Sequence, residues 1–211
     1  MKKEERAVSD ANETREMDRL SQYGRTLYEE GSVRLREPRE DDLPALARWW
    51  RDPSQAILQR PELTLRPEES DRELFRSWGR NDTPDGFGYA VLNTDNELVG
   101  YVRLHGVSGP ARAGSLDVMI GAEHQGFSYG ADAVRAGLRL AFREFGVHKV
   151  EAAVRAFNER ALGVYTSIGF KEEGRRRAVA FHNGRYYDDV LLGMLVDEYR
   201  DEFAAEYPER G

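Results

Sequence analysis

The chain has 211 residues, 38 acidic against 31 basic side chains, a formal charge of −7 and no cysteine. That length suits one sizeable domain, and the missing thiols exclude a disulfide framework, a thiolate metal site and a cysteine nucleophile. The acidic balance argues against general nucleic-acid binding, which needs a basic face, and no apolar run approaches the roughly 20 residues of a membrane span.

Residues 1–14 are dense in charge and read as a disordered arm, with Met17, Leu20, Tyr23 and Leu27 forming one weak apolar stripe of a short helix. Val33-Arg34-Leu35-Arg36 alternates apolar and polar and predicts the first strand. Leu43, Leu46, Ala47 and Trp50 fall at i, i+3, i+4 and i+7 behind Glu40, Asp41 and Asp42, so a helix with a buried Trp50 follows. Trp49 is then expected at a cleft or in solvent. A second helix starts near Pro67 and buries Leu74, Phe75 and Trp78.

From Gly86 the pattern turns to strands. Residues 87–92 and 98–104 flank Asn93-Thr94-Asp95-Asn96 as a hairpin, and residues 115–120 form a third strand. A helix over residues 131–145 ends at Gly146, residues 149–157 form another strand, and Asn158 caps a short helix stopped by Gly169. Asn183-Gly184 joins a last hairpin over 177–181 and 186–196. The order gives an α/β domain with a largely antiparallel sheet, in which the strands before and after the long helix are parallel neighbours. The boundaries are a charged arm at 1–30, the domain at 31–197 and an acidic tail at 198–211.

Between the third strand and the long helix lies Glu123-His124-Gln125-Gly126-Phe127-Ser128-Tyr129-Gly130-Ala131. A glycine-bearing loop that closes a strand and opens a helix presents backbone N–H groups to an anion. His105, His124, His148 and His182 lack metal-ligand spacing, so no metal is expected.

The element order, this loop, and the run Asn158-x-x-Ala161-x-x-x-Tyr165-x-x-x-Gly169-Phe170 together resemble the GNAT superfamily of acetyl-CoA-dependent N-acetyltransferases. Arg34 to Leu43 and Asn183-Gly184-Arg185-Tyr186-Tyr187-Asp188-Asp189 are similar to its ribosomal-protein and spermidine branch. The resemblance implies the GNAT fold: a mixed, mostly antiparallel sheet flanked by helices, with a splayed parallel pair. It implies acetyl-CoA as co-substrate, with the pantetheine arm along Met119 and Ile120 and a backbone N–H near Met119 on the thioester carbonyl. The pyrophosphate would rest on Gln125, Gly126, Phe127, Ser128, Tyr129, Gly130 and Ala131, with Asn158 also at the cofactor. Where the family has glycine this chain has Ser128, which is accommodated if its φ is negative.

Tyr165 is the general-acid candidate, since a phenol is protonated at neutral pH and donates to a leaving thiolate. Asp117, flanked by Leu116 and Val118, is the candidate base or amine anchor. Ribosomal-type relatives carry a glutamate where this chain has Ser115, whereas aminoglycoside 6′-acetyltransferases resemble it in having an aspartate at 117. The expected acceptor is a protein N-terminus or a small amine such as a polyamine, with an aminoglycoside as the alternative. A non-catalytic acyl-CoA-binding module is the alternative of another class, and Ser128 is its argument. The protein is expected to be cytoplasmic, and exposed strand edges at the last hairpin would suit a homodimer.

Overall fold

The computed structural model describes residues 2–60 and 63–199, with backbone alone for 2–13 and Ser108. Beyond Tyr199 the expected acidic tail lies outside the described residues. The helices are α1 (Lys2–Thr26), α2 (Leu43–Arg51), α3 (Pro53–Gln59), α4 (Glu68–Trp78), α5 (Tyr129–Arg139) and α6 (Glu159–Ile168). The strands are β1 (Glu29–Glu30), β2 (Val33–Arg36), β3 (Phe87–Asn93), β4 (Leu98–Ser108), β5 (Ala113–Ile120), β6 (Lys149–Arg155), β7 (Lys171–His182) and β8 (Arg185–Leu195). They form one sheet in the order β1-β2-β3-β4-β5-β6-β8-β7. Only β5 and β6 are parallel, as their helical crossover requires. Among the described residues no helix is long and apolar enough to cross a membrane.

Strand alternation divides the core in two. On one face Val33, Leu35, Val102, Leu116, Val150, Val154 and Leu192 pack with Val134 and Leu138 of α5. On the other, Tyr101 and Met119 pack with Leu43, Leu46 and Trp49 of α2 and Phe75 of α4. Asp132 in the first turn of α5 is buried and accepts from the Ser32 N–H at 3.0 Å and the Ser32 hydroxyl at 2.7 Å. Those bonds fix the start of α5 to the β1–β2 turn, and with it the loop that α5 follows.

Several elements depart from expectation. The N-terminal arm is a single helix, in keeping with a proline-free stretch rich in good helix formers. Met17 and Leu20 are exposed, and only Tyr23, bonded to Glu144, and Leu27 meet the domain. α3 was not legible, because its proline and short length hide any apolar period. The long helix ends with a wide π-turn, Leu140–Glu144, in which Phe145 N–H reaches the carbonyl of Leu140. The two tryptophans exchange roles. Trp49 is 3% exposed and its Nε1 donates to Glu123, whereas Trp50 is half-buried, edge-on to Phe75 and Trp78.

Gly88 on β3 lets the backbone approach the layer beneath: a Cβ there would sit 2.0 Å from the Tyr101 hydroxyl and 2.3 Å from the Trp78 carbonyl oxygen. We expect Gly88→Ala to cost about 1–3 kcal/mol of stability, measured by urea unfolding. A variant as stable as the parent would show that the contact between β3 and α4 yields freely.

Candidate active site

The parallel pair holds over three residues only, Ala113 to Ser115 against Lys149 to Glu151. Beyond it β5 stays paired with β4 as far as Ile120, and β6 with β8 as far as Arg155. The two strands therefore separate, and a cleft of about 270 Å³ opens along the gap. Leu116, Asp117, Val118 and Met119 line one wall and Ala153 and Val154 the other. Asn158, Ala161 and Tyr165 of the α6 region close one face, while Trp50, Leu58, Phe75, Trp78, Tyr101 and Arg103 close the opposite face.

Alternation decides which backbone groups face the gap. Gly121 N–H donates to Val99 O at 2.9 Å, so Ile120 and Gly100 form a non-hydrogen-bonded pair. The amides of Val118 and Ile120 thus point away from β4, toward the opening. Met119, one step out of phase, spends its own amide in the β4 ladder and its side chain in the α2–α4 core. The open N–H groups near Met119 are therefore those of Val118 and Ile120, and Met119 itself lines the cleft wall. The Ile120 carbonyl accepts from the Gln125 side chain at 3.4 Å.

Tyr165 approaches from α6. Asn158 caps that helix, accepting from the Ala161 N–H at 3.2 Å, and Gly169 ends it with φ +116°. The Tyr165 ring is buried edge-on to Phe170, and its hydroxyl donates to the Leu116 carbonyl at 3.3 Å, at the point where the strands part. Burial, and then the negative charge of Asp117, raise its pKa well above the ordinary phenol value. The group is therefore a protonated donor throughout the neutral range.

Asp117 projects from the opposite face of β5. Its Oδ2 accepts from Arg103 Nη2 at 3.0 Å and lies 2.9 Å from His105 Nε2. Its side chain is 57% exposed and lines the cleft. The cleft walls push its pKa up; the His105 hydrogen bond and the Arg103 charge outweigh them and hold it below the usual carboxylate value. Arg103 in turn lies flat on the Trp78 ring at 3.9 Å. Neither Arg103 nor His105 was singled out in the sequence; the β4–β5 register brings Arg103 opposite Asp117 and His105 opposite Ser115.

The loop after β5 is braced on three sides. Glu123 accepts from Arg48 and from Trp49, Gln125 donates to Gln55 of α3 at 2.8 Å, and Arg160 of α6 bonds to the Gln125 side-chain oxygen. Asp132 N–H already bonds to Ser128 O. The N–H groups of Tyr129, Gly130 and Ala131 precede the first intrahelical bond and face forward as anion donors. Gly126 takes φ +94°. Ser128 takes φ +66° and ψ −2°, the left-handed region, with no side-chain cap bond. The condition for easy accommodation, a negative φ, is not met: serine stands in a glycine conformation, at a cost of about 1–2 kcal/mol. Phe127 is exposed and stacked on Tyr129.

With this geometry in view, the family is clear. A family model described as "Acetyltransferase (GNAT) domain" matches residues 32–171, and the chain belongs to that family. Among curated proteins it is 29% identical to spermidine N(1)-acetyltransferase of Vibrio cholerae over 111 residues, 53% of this chain and 64% of that protein. It is 30% identical to the putative ribosomal N-acetyltransferase YdaF of Bacillus subtilis over 113 residues, 54% of this chain and 62% of that one. The chain therefore spans less than two thirds of the length of these relatives. The crystal structure of Vibrio cholerae spermidine N-acetyltransferase with CoA and spermine superimposes with TM-score 0.72 at 23% identity, over 80% of this chain and 98% of that one. That likeness establishes the fold.

We expect Ser128→Gly to raise stability by about 1 kcal/mol, seen as a rise of about 2–4 °C in melting temperature by calorimetry. A fall instead would show that the hydroxyl holds the turn.

Proposed function

We propose that the protein is an acetyl-CoA-dependent N-acetyltransferase that moves an acetyl group directly to the primary amine of a small molecule. One observation carries the reading: an open strand edge and a phenol donor line one cleft, and the loop that leaves the same strand opens a helix start with free N–H groups. The Val118 and Ile120 backbone suits an extended amide-bearing arm, and the first turn of α5 suits a pyrophosphate.

In this reading the amine nitrogen attacks the thioester carbonyl; a C–N bond forms and the C–S bond breaks. Starting from an ammonium, nitrogen gives up two protons: one ends on the CoA sulfur, the other in solvent. The open β5 amides stabilise the developing oxyanion. Tyr165, with its raised pKa, hydrogen-bonds the leaving thiolate more readily than it yields its proton outright. Asp117, held ionised, is better suited to anchor an ammonium than to act as a strong base. The rate should therefore rise with pH as the acceptor amine deprotonates, with no inflection from Asp117 in the neutral range.

The test is thiol release from acetyl-CoA with spermidine, aminoglycosides, amino acids and short peptides as acceptors. Tyr165→Phe should lower kcat about 10²-fold with an unchanged acetyl-CoA dissociation constant. An unchanged kcat would remove the acid role. CoA binding without thiol release for any amine would favour a binding module.

A further inference from the structure

The cleft has two charged side chains among its walls, and they have opposite sign: Arg103 and Asp117. Their own pairing is incomplete. Arg103 and His105 both meet Oδ2 of Asp117, and no hydrogen bond to Oδ1 is formed among the described residues. The Arg103 side chain is 16% exposed, its Nε–H is buried without an acceptor, and Nη2 makes the side chain's hydrogen bond. A guanidinium has five N–H donors, so one so enclosed is short of oxygen.

A polyamine gains little in such a place. Its first ammonium finds a carboxylate already neutralised, and its next charge meets Arg103 across an apolar wall of Trp50, Phe75, Trp78 and Tyr101. Like charges held close together repel, and specificity arises from such a clash as much as from attraction. The ligand that complements one positive and one negative pole is itself dipolar. Arg103 Nη2 and Asp117 Oδ2 are 3.0 Å apart.

We propose that the acceptor is a small zwitterionic amine of the α-amino-acid class with an apolar or aromatic side chain. Its ammonium lies on Oδ1 of Asp117, its carboxylate on the free edge of the Arg103 guanidinium, and its side chain on the Trp50–Phe75–Trp78–Tyr101 wall. Asp117 and Arg103 thus fix the amine before the thioester, and Arg103 is the residue that selects against polycations. This assignment rests on the acetyl-transfer reading for its chemistry but concerns recognition, which can be measured without turnover.

The experiment runs on the full chain. Apolar and aromatic L-amino acids, their carboxamides and spermidine are titrated into protein saturated with CoA, and the same compounds are offered as acceptors with acetyl-CoA. The amino acids should bind and be acetylated, and their carboxamides should be weaker by about 10–100-fold, the worth of a charged hydrogen bond. Arg103→Gln should narrow that gap and let spermidine bind, since Asp117 is then unneutralised; Arg103→Lys should restore part of it. Thermal melts of both variants separate recognition from misfolding. Carboxamides equal to the acids, or spermidine preferred by the native chain, would overturn the proposal while leaving acetyl transfer intact. Amino-acid binding with thiol release only from other amines would overturn the proposal, and amino-acid binding with no thiol release from any amine would uphold the recognition and sink the transferase reading. No amino-acid binding at all would overturn the proposal outright.

Discussion

Everything at the site depends on a parallel strand pair that stops after three residues. Both β5 and β6 continue, each still bonded on its far edge, to β4 and to β8. Each strand bonds its two neighbours through opposite edges, so the inner pairing ends without disturbing either outer one. The interior edges of Val118 and Ile120 are left with backbone groups that folding alone does not satisfy. In most sheets such an edge lies at the rim. Here it lies in the middle of the molecule, so the sheet has an internal slot with donors along one side.

The slot also explains how side chains from opposite faces of a sheet meet. Tyr165 belongs to the α5–α6 face and Asp117 to the α2–α4 face. A closed sheet would keep them apart by its own thickness. Where the strands part, the Tyr165 hydroxyl reaches the Leu116 carbonyl and its ring feels the Asp117 charge, which helps raise its pKa. The loop that continues β5 into α5 is anchored by Asp132 on one side and by Glu123 and Gln125 on the other.

Local pattern made much of this legible. The strand-loop-helix transition at Gly121 to Tyr129, the Asn158 cap and the Asn183-Gly184 hairpin depend on neighbours in sequence, and each formed as read. What escaped depends on register or on competition between equivalent positions. Trp50 fits the α2 period, yet Trp49 turns inward, where its indole packs in the α2–α4 core and its Nε1 donates to Glu123. The open amide at β5 belongs to even-numbered residues because of how Gly121 meets Val99, a phase that composition does not carry. Ser128 held a glycine conformation despite its side chain, because bracing of the loop by Gln55, Glu123 and Arg160 fixes the turn.

Charge shows the same division between local and global. A formal charge of −7 suggests an affinity for cations, and that field does reach outward from the surface. Inside the cleft it is overruled at short range, where one arginine at 3.0 Å outweighs many distant carboxylates screened by solvent. Because the β4–β5 register alone brings Arg103 across from Asp117, the two poles are a product of the sheet and not of either strand. The slot opens where β5 parts from β6 on one edge, and the register with β4 on the other edge sets the charge beside it.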